Sequence, residues 1–117
     1  MTELSRRQQL QADYRQQTDR AGIFRVFDTL HQRSYLGASA DVAAALNRMQ
    51  FELRLGKHKR ADLLSIWRQH GPAGLEFSVL ERIPLRDTPG WDLQQELALA
   101  LQLWQAELQQ IGPCDLL

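Results

Sequence analysis

Three short stretches dense in β-branched and aromatic residues, at positions 23–28, 34–38 and 75–79, stand among segments whose apolar residues recur every three or four positions. That alternation of periods confines the chain to a mixed α/β architecture. In the third stretch Leu75, Phe77 and Val79 alternate with Glu76 and Ser78, the pattern of a strand with one buried face. The first two stretches flank residues 29–33, and a β-hairpin is the simplest arrangement for them. Leu30, His31 and Gln32 stand where an Asn-Gly pair would signal a tight turn, so a loop longer than two residues is expected.

The helical segments carry their own punctuation. Ser39 is an N-cap candidate ahead of Val42, Ala45, Leu46, Met49 and Leu53, and Gly56 can close that helix. A second helix over residues 61–70 puts Leu63, Ile66, Trp67 and His70 on one side and ends at Gly71-Pro72. Residues 83–91 hold Pro84, Pro89 and Gly90 and read as a loop. From Asp92, an N-cap with Gln95 at the capping-box position, the residues Leu93, Leu97, Ala100, Leu101, Trp104, Leu108 and Ile111 trace the strongest stripe in the chain, stopped by Gly112-Pro113. Residues 3–18 read as a further helix with a thin apolar edge of Leu10 and Tyr14. The expected fold is a three-stranded, mainly antiparallel sheet packed by helices, with an extra N-terminal helix. At 117 residues one core is expected: an N-terminal helix within 1–20, a domain over 21–112 and a C-terminal tail over 113–117.

Composition excludes several classes of function. With 44% hydrophobic and 24% charged residues the chain resembles ordinary folded domains rather than disordered ones. No apolar run approaches the roughly 20 residues of a membrane-spanning helix, and the first residues lack the apolar stretch of a secretory signal, so a cytoplasmic location without a membrane partner is expected. Cys114 is the sole cysteine, which rules out an intrachain disulfide and multi-thiolate zinc sites. His31, His58 and His70 match no metal-ligand spacing, and neither a metal nor a cofactor is expected.

The formal charge is zero, from 14 basic and 14 acidic side chains, but they are unevenly placed. Arg48, Arg54, Lys57, Lys59, Arg60 and Arg68 face only Glu52 and Asp62 in the middle of the chain, whereas the last third is acidic. The run Lys57-His58-Lys59-Arg60, with Arg48 and Arg54 leading into it, is either a phosphate-contacting loop that gains affinity by counterion release or a solvated connection between helices.

Gly22-Ile23-Phe24 and Tyr35-Leu36-Gly37, on the two hairpin strands, resemble the paired motifs of the GIY-YIG nuclease family. Ala38-Ser39-Ala40-Asp41-Val42 is similar to the turn into that family's first core helix. Gly56-Lys57-His58 and residues 67–71 resemble its next connection and helix end, and Phe77-Ser78-Val79-Leu80-Glu81 its third strand. The resemblance spans roughly residues 22–108. It implies a phosphodiester-cleaving site built from two tyrosines, an arginine on the first core helix and a metal-holding glutamate on the last. A phenol would assist water deprotonation, the carboxylate would grip a divalent ion, and the guanidinium would offset charge on the phosphate.

Transferred to this sequence, the first tyrosine becomes Phe24, the second is Tyr35, the arginine position is Ala45 and the glutamate position, anchored on Trp104, is Leu101. Arg48 lies one helical turn past Ala45 and either reaches toward the old site or is solvated. Glu96 would replace the metal ligand only with a shifted helix register. The leading expectation is therefore a degenerate nuclease-like domain that binds nucleic acid weakly or serves as an accessory module, with Tyr35 and Arg48 as the candidate catalytic remnants. Its candidate contacts are Arg48, Arg54, Lys57, His58, Lys59 and Arg60. One alternative is a magnesium-dependent endonuclease rebuilt from Tyr35, Arg48 and Glu96. The other is a protein-interaction domain, homodimerisation included, meeting its partner through the acidic last third, the N-terminal helix or Trp91.

Overall fold

A computed structural model describes residues 20–117 of the chain; the expected N-terminal helix lies outside the described residues. Strands β1 (Gly22–Asp28) and β2 (Arg33–Ser39) form the hairpin, followed by helices α1 (Val42–Arg54) and α2 (Ala61–His70), a short 3-10 turn (Gly71–Gly74), β3 (Leu75–Arg82), α3 (Leu93–Gln109) and β4 (Cys114–Leu116). The sheet order is β3-β1-β2-β4. β1 pairs antiparallel with both β2 and β3, while β4 runs parallel to β2.

The mixed sheet-and-helix class is as the residue pattern predicts, and the expected three antiparallel strands make up the β3-β1-β2 part of the sheet. The segment read as a tail adds a fourth strand. Cys114 pairs with Ser34 and Leu116 with Leu36, and backbone bonds from Ser34 N–H to the Pro113 carbonyl (2.9 Å) and from Leu117 N–H to the Leu36 carbonyl (2.8 Å) extend the ladder. A three-residue edge strand has too few positions to show a period, and what holds it is pairing with a distant strand. The Cys114 thiol is buried there, and that burial pushes its pKa up.

The hairpin turn is organised by Asp28, the last residue of β1, rather than by a residue of the turn itself. Asp28 is 1% exposed, and its Oδ1 accepts from the N–H groups of Leu30 (2.9 Å) and His31 (3.1 Å) while Oδ2 lies 2.7 Å from His31 Nδ1. Burial works to raise the Asp28 pKa, but the bonds from His31 and Leu30 outweigh it and hold the carboxyl below its ordinary value. The same carboxylate thus does the work for which an Asn-Gly pair is usual.

Helix α1 is capped by Asp41, whose Oδ1 accepts from Ala44 N–H at 3.1 Å, and not by Ser39. The Ser39 hydroxyl instead bonds the backbone of Asp41, 3.0 Å from both its nitrogen and its oxygen, and so fixes the approach to the cap. At α3 the Asp92 carboxylate accepts from Gln94 N–H at 2.9 Å, as an N-cap should.

Period-two alternation divides the core between the two faces of the sheet. Phe24, Val26 and Tyr35 pack with Val42, Met49, Leu53, Leu63, Ile66 and Leu75 beneath α1 and α2. Ile23 and Ala21 pack with Ile83 and Leu97, joined by Ala100, Leu101 and Trp104 of α3 on the opposite face. The register of β1 against β3 shifts between Ile23 and Phe24: Ile23 pairs with Glu81 and Phe24 with Val79, which leaves Leu80 as the extra residue of a bulge. Of the expected α3 stripe, Ile111 falls past the helix end and is 83% exposed. Among the described residues no helix is long and apolar enough to cross a membrane.

Candidate functional site

An open cleft of about 440 Å³ lies between α1, the end of the hairpin, the α1–α2 connection and one edge of α3. Ala45, Arg48, Met49 and Glu52 reach it together because residues three and four apart share one face of a helix. Phe24 and Gly37 face each other in the hairpin register, and the Phe24 ring lies across the Gly37 backbone. A Cβ at Gly37 would overlap the ring's Cζ and stand 2.8 Å from its Cε1, so only glycine lets the ring rest there. Gly22 is constrained the same way, since a Cβ would run into the Glu81 carbonyl of the neighbouring strand. Both motif glycines are thus explained by close approach.

Phe24, Ala45 and Leu101 line this single cleft. The three positions transferred from the nuclease motifs do converge, and each carries a hydrocarbon side chain. Arg48 lines the cleft too. Its Nε donates to Glu52 Oε1 at 3.2 Å, yet the Arg48 side chain is 82% exposed, so most of its donors face solvent. Lys59 is exposed at the same rim. His58 is 8% exposed, and its Nδ1 accepts from Arg60 N–H at 3.1 Å, which leaves Nε2 as the hydrogen-bearing nitrogen of the neutral ring.

Tyr35 does not line the cleft. It is 1% exposed and donates its hydroxyl to Asp62 Oδ2 at 3.2 Å. Arg60 grips the same carboxylate at 3.2 and 3.0 Å, donates to the Leu116 carbonyl at 3.0 Å, and holds its guanidinium 4.9 Å from the Tyr35 ring centre. The hydrogen bond from Arg60 is the main cause of the lowered Asp62 pKa, and the same bond raises that of Arg60. Burial, followed by the Asp62 charge, raises the Tyr35 pKa, so the phenol stays protonated and is a poor base. The cluster ties β2, the start of α2 and β4 together.

The candidate sets therefore separate. Arg48, His58 and Lys59 meet at the cleft, whereas Arg60 is engaged by Asp62 and Leu116. Arg54 and Lys57 are exposed but not among the lining residues. Glu96 belongs to a different cleft of about 380 Å³, beside Trp91 and Trp104, where Trp104 Nε1 donates to Glu81 Oε1 at 2.8 Å. A catalytic set of Tyr35, Arg48 and Glu96 is not assembled. Sequence reasoning missed Glu52, although its place four residues after Arg48 and seven after Ala45 puts it on their face. It also missed Leu117, which only the pairing of β4 brings to the cleft. Among the described residues no group of three or more His, Cys, Asp or Glu side chains could hold a metal ion. The cleft, with Glu52 as the one acidic side chain among its described lining residues, does not fit a protein-caged magnesium ion.

An antiparallel hairpin carrying Gly22-Ile23-Phe24 and Tyr35-Leu36-Gly37, a third antiparallel strand beside it, and a cleft shared with α1 and the last long helix define a GIY-YIG-like fold. Two solved structures carry it. The chain is similar to the catalytic domain of the homing endonuclease I-TevI, with 27% identity and a TM-score of 0.60 over 80% of this chain and 96% of that one. It is equally similar to a single-site mutant of the intron endonuclease I-TevI catalytic domain, with 26% identity and a TM-score of 0.60 over 80% of this chain and 89% of that one. No family model matches the chain. No curated protein sequence matches it either.

Proposed function

We propose that this domain binds nucleic acid at the cleft through phosphate contacts from Arg48 and Lys59, with His58 beside them, and does not cut it. The reading rests on one observation: Phe24, Ala45 and Leu101 share a cleft with three basic or titratable side chains. Among the described residues, the cleft keeps cations that attract a phosphate but is lined by no tyrosine, has alanine at position 45 where the arginine would stand, and receives only Leu101 from α3, whose Glu96 and Glu107 lie elsewhere. Removing one preorganised charge stabiliser costs about a hundred- to a thousandfold in rate. Binding to a phosphate needs only the cations, so it survives that loss.

Titration with labelled short DNA and RNA at low salt tests the reading. Binding should weaken on raising salt, and Arg48→Ala with Lys59→Ala should reduce both affinity and salt slope, by about one unit per cation on duplex. No binding, or binding indifferent to that double variant, refutes it. A second reading, a nuclease with a rearranged site, is favoured by the presence of Glu52 beside Arg48 and His58. Plasmid nicking with magnesium or manganese separates the two: cleavage lost in Glu52→Gln supports the second and overturns the first.

A further inference from the structure

The burial pattern of the cleft says more than its charge. Phe24 and Met49 are 5% and 8% exposed and form a floor with the half-buried Leu101 and Leu117, while Arg48 and Lys59 are exposed at the rim. A concavity of about 440 Å³ is within the range of small-ligand clefts, about 300–1,000 Å³. A duplex cannot use such a floor, because its bases are stacked inward and only its phosphates reach the rim. An unpaired base can be splayed out and laid against apolar and aromatic side chains while its own phosphate meets the cations.

The floor is also held in place. The Phe24 ring rests on the Gly37 backbone, and Met49 sits on the buried face of α1, so the apolar surface is formed before any ligand arrives. Ala45 leaves room beside them, since its side chain is a single methyl on the same helix face as Arg48.

We infer that the cleft takes one unstacked nucleotide of a single-stranded nucleic acid, its phosphate on Arg48 and Lys59 and its base against Phe24, Met49, Leu101 and Leu117. This rests on the reading of the cleft as a nucleic-acid site and adds a choice of strand state to it.

The test uses the full chain in fluorescence anisotropy at low salt, with labelled oligo-dT, oligo-U and a duplex of the same length. Single strands should bind about tenfold or more tighter than duplex. Ala45→Phe, which fills the cleft without removing a cation, should lower single-strand affinity toward the duplex value; Ala45→Leu should do so in part should the larger ring disturb folding. A nucleoside monophosphate should displace the single strand at concentrations where inorganic phosphate does not. Equal affinity for duplex and single strands, or unchanged single-strand binding in both Ala45 variants, overturns this inference and leaves phosphate binding standing. Displacement by inorganic phosphate as readily as by the monophosphate also overturns it. Failure of every nucleic acid to bind overturns both readings together.

Discussion

Replacing Glu52 by glutamine should tighten nucleic-acid binding. Glu52 is the one acidic side chain among the described residues lining the cleft, and its Oε1 sits 3.2 Å from Arg48 Nε. A phosphate held on the outer edge of that guanidinium would lie about 6–7 Å from the carboxylate, a repulsion of about 0.6 kcal/mol at the dielectric of water and more at the edge of a protein. With the Arg48 side chain 82% exposed, the appropriate value is near the lower end, about 0.6–1 kcal/mol. This corresponds to an affinity gain of about three- to fivefold. The ion pair itself is an exposed i,i+4 contact worth about 0.3–0.5 kcal/mol, so folding stability should hardly move. Anisotropy titration of wild type and Glu52→Gln at two salt concentrations measures the gain, which should shrink at the higher one. Unchanged or weaker binding by the folded variant would refute the placement of the phosphate beside Arg48.

Asp28→Ala should cost about 2 kcal/mol, measured by denaturant unfolding at pH 7, because two charge-assisted bonds to the turn are lost and their donors are left partly to water. The folded-state pKa of Asp28 is depressed, so its contribution is complete above the unfolded value of about 3.9 and fades as pH falls through the folded value; the gap between variant and wild type should close below about pH 4. A penalty constant with pH would count against the assignment. Gly37→Ala should lose about 1–3 kcal/mol by forcing the Phe24 ring off the strand, and it should lower ligand affinity as the cleft floor moves. Tyr35→Phe should cost about 0.5–1.5 kcal/mol for the bond to Asp62 while leaving nucleic-acid affinity unchanged; altered affinity would place Tyr35 in the site after all.

Periodicity carried most of the fold into view. The hairpin strands, α1, α2, β3 and α3 all lie where apolar spacing and glycine or proline breaks put them, since those signals are local. The paired motifs placed Phe24, Tyr35 and, by count, Ala45, and Trp104 anchored Leu101; Phe24, Ala45 and Leu101 line one cleft, while Tyr35 is not among its lining residues. The separation of the basic run was not legible. Lys57, His58, Lys59 and Arg60 are adjacent in sequence, yet His58 is buried, Lys59 is at the cleft rim and Arg60 is turned to Asp62 and Leu116. Neighbours in a connection point in different directions, and a charge run cannot show which of its members will find an intramolecular partner.

The sequence by itself determined the period of each element and the chemistry at the motif positions: a ring without a hydroxyl, a methyl group and an isobutyl group. Only the tertiary structure decided which charges meet. It withdrew Tyr35 and Arg60 into a cluster around Asp62, sent Glu96 to another cleft and brought Glu52, His58 and Leu117 to this one. Local pattern follows from backbone geometry within a few residues, whereas a site is made by packing between segments distant along the chain, which that local pattern does not encode.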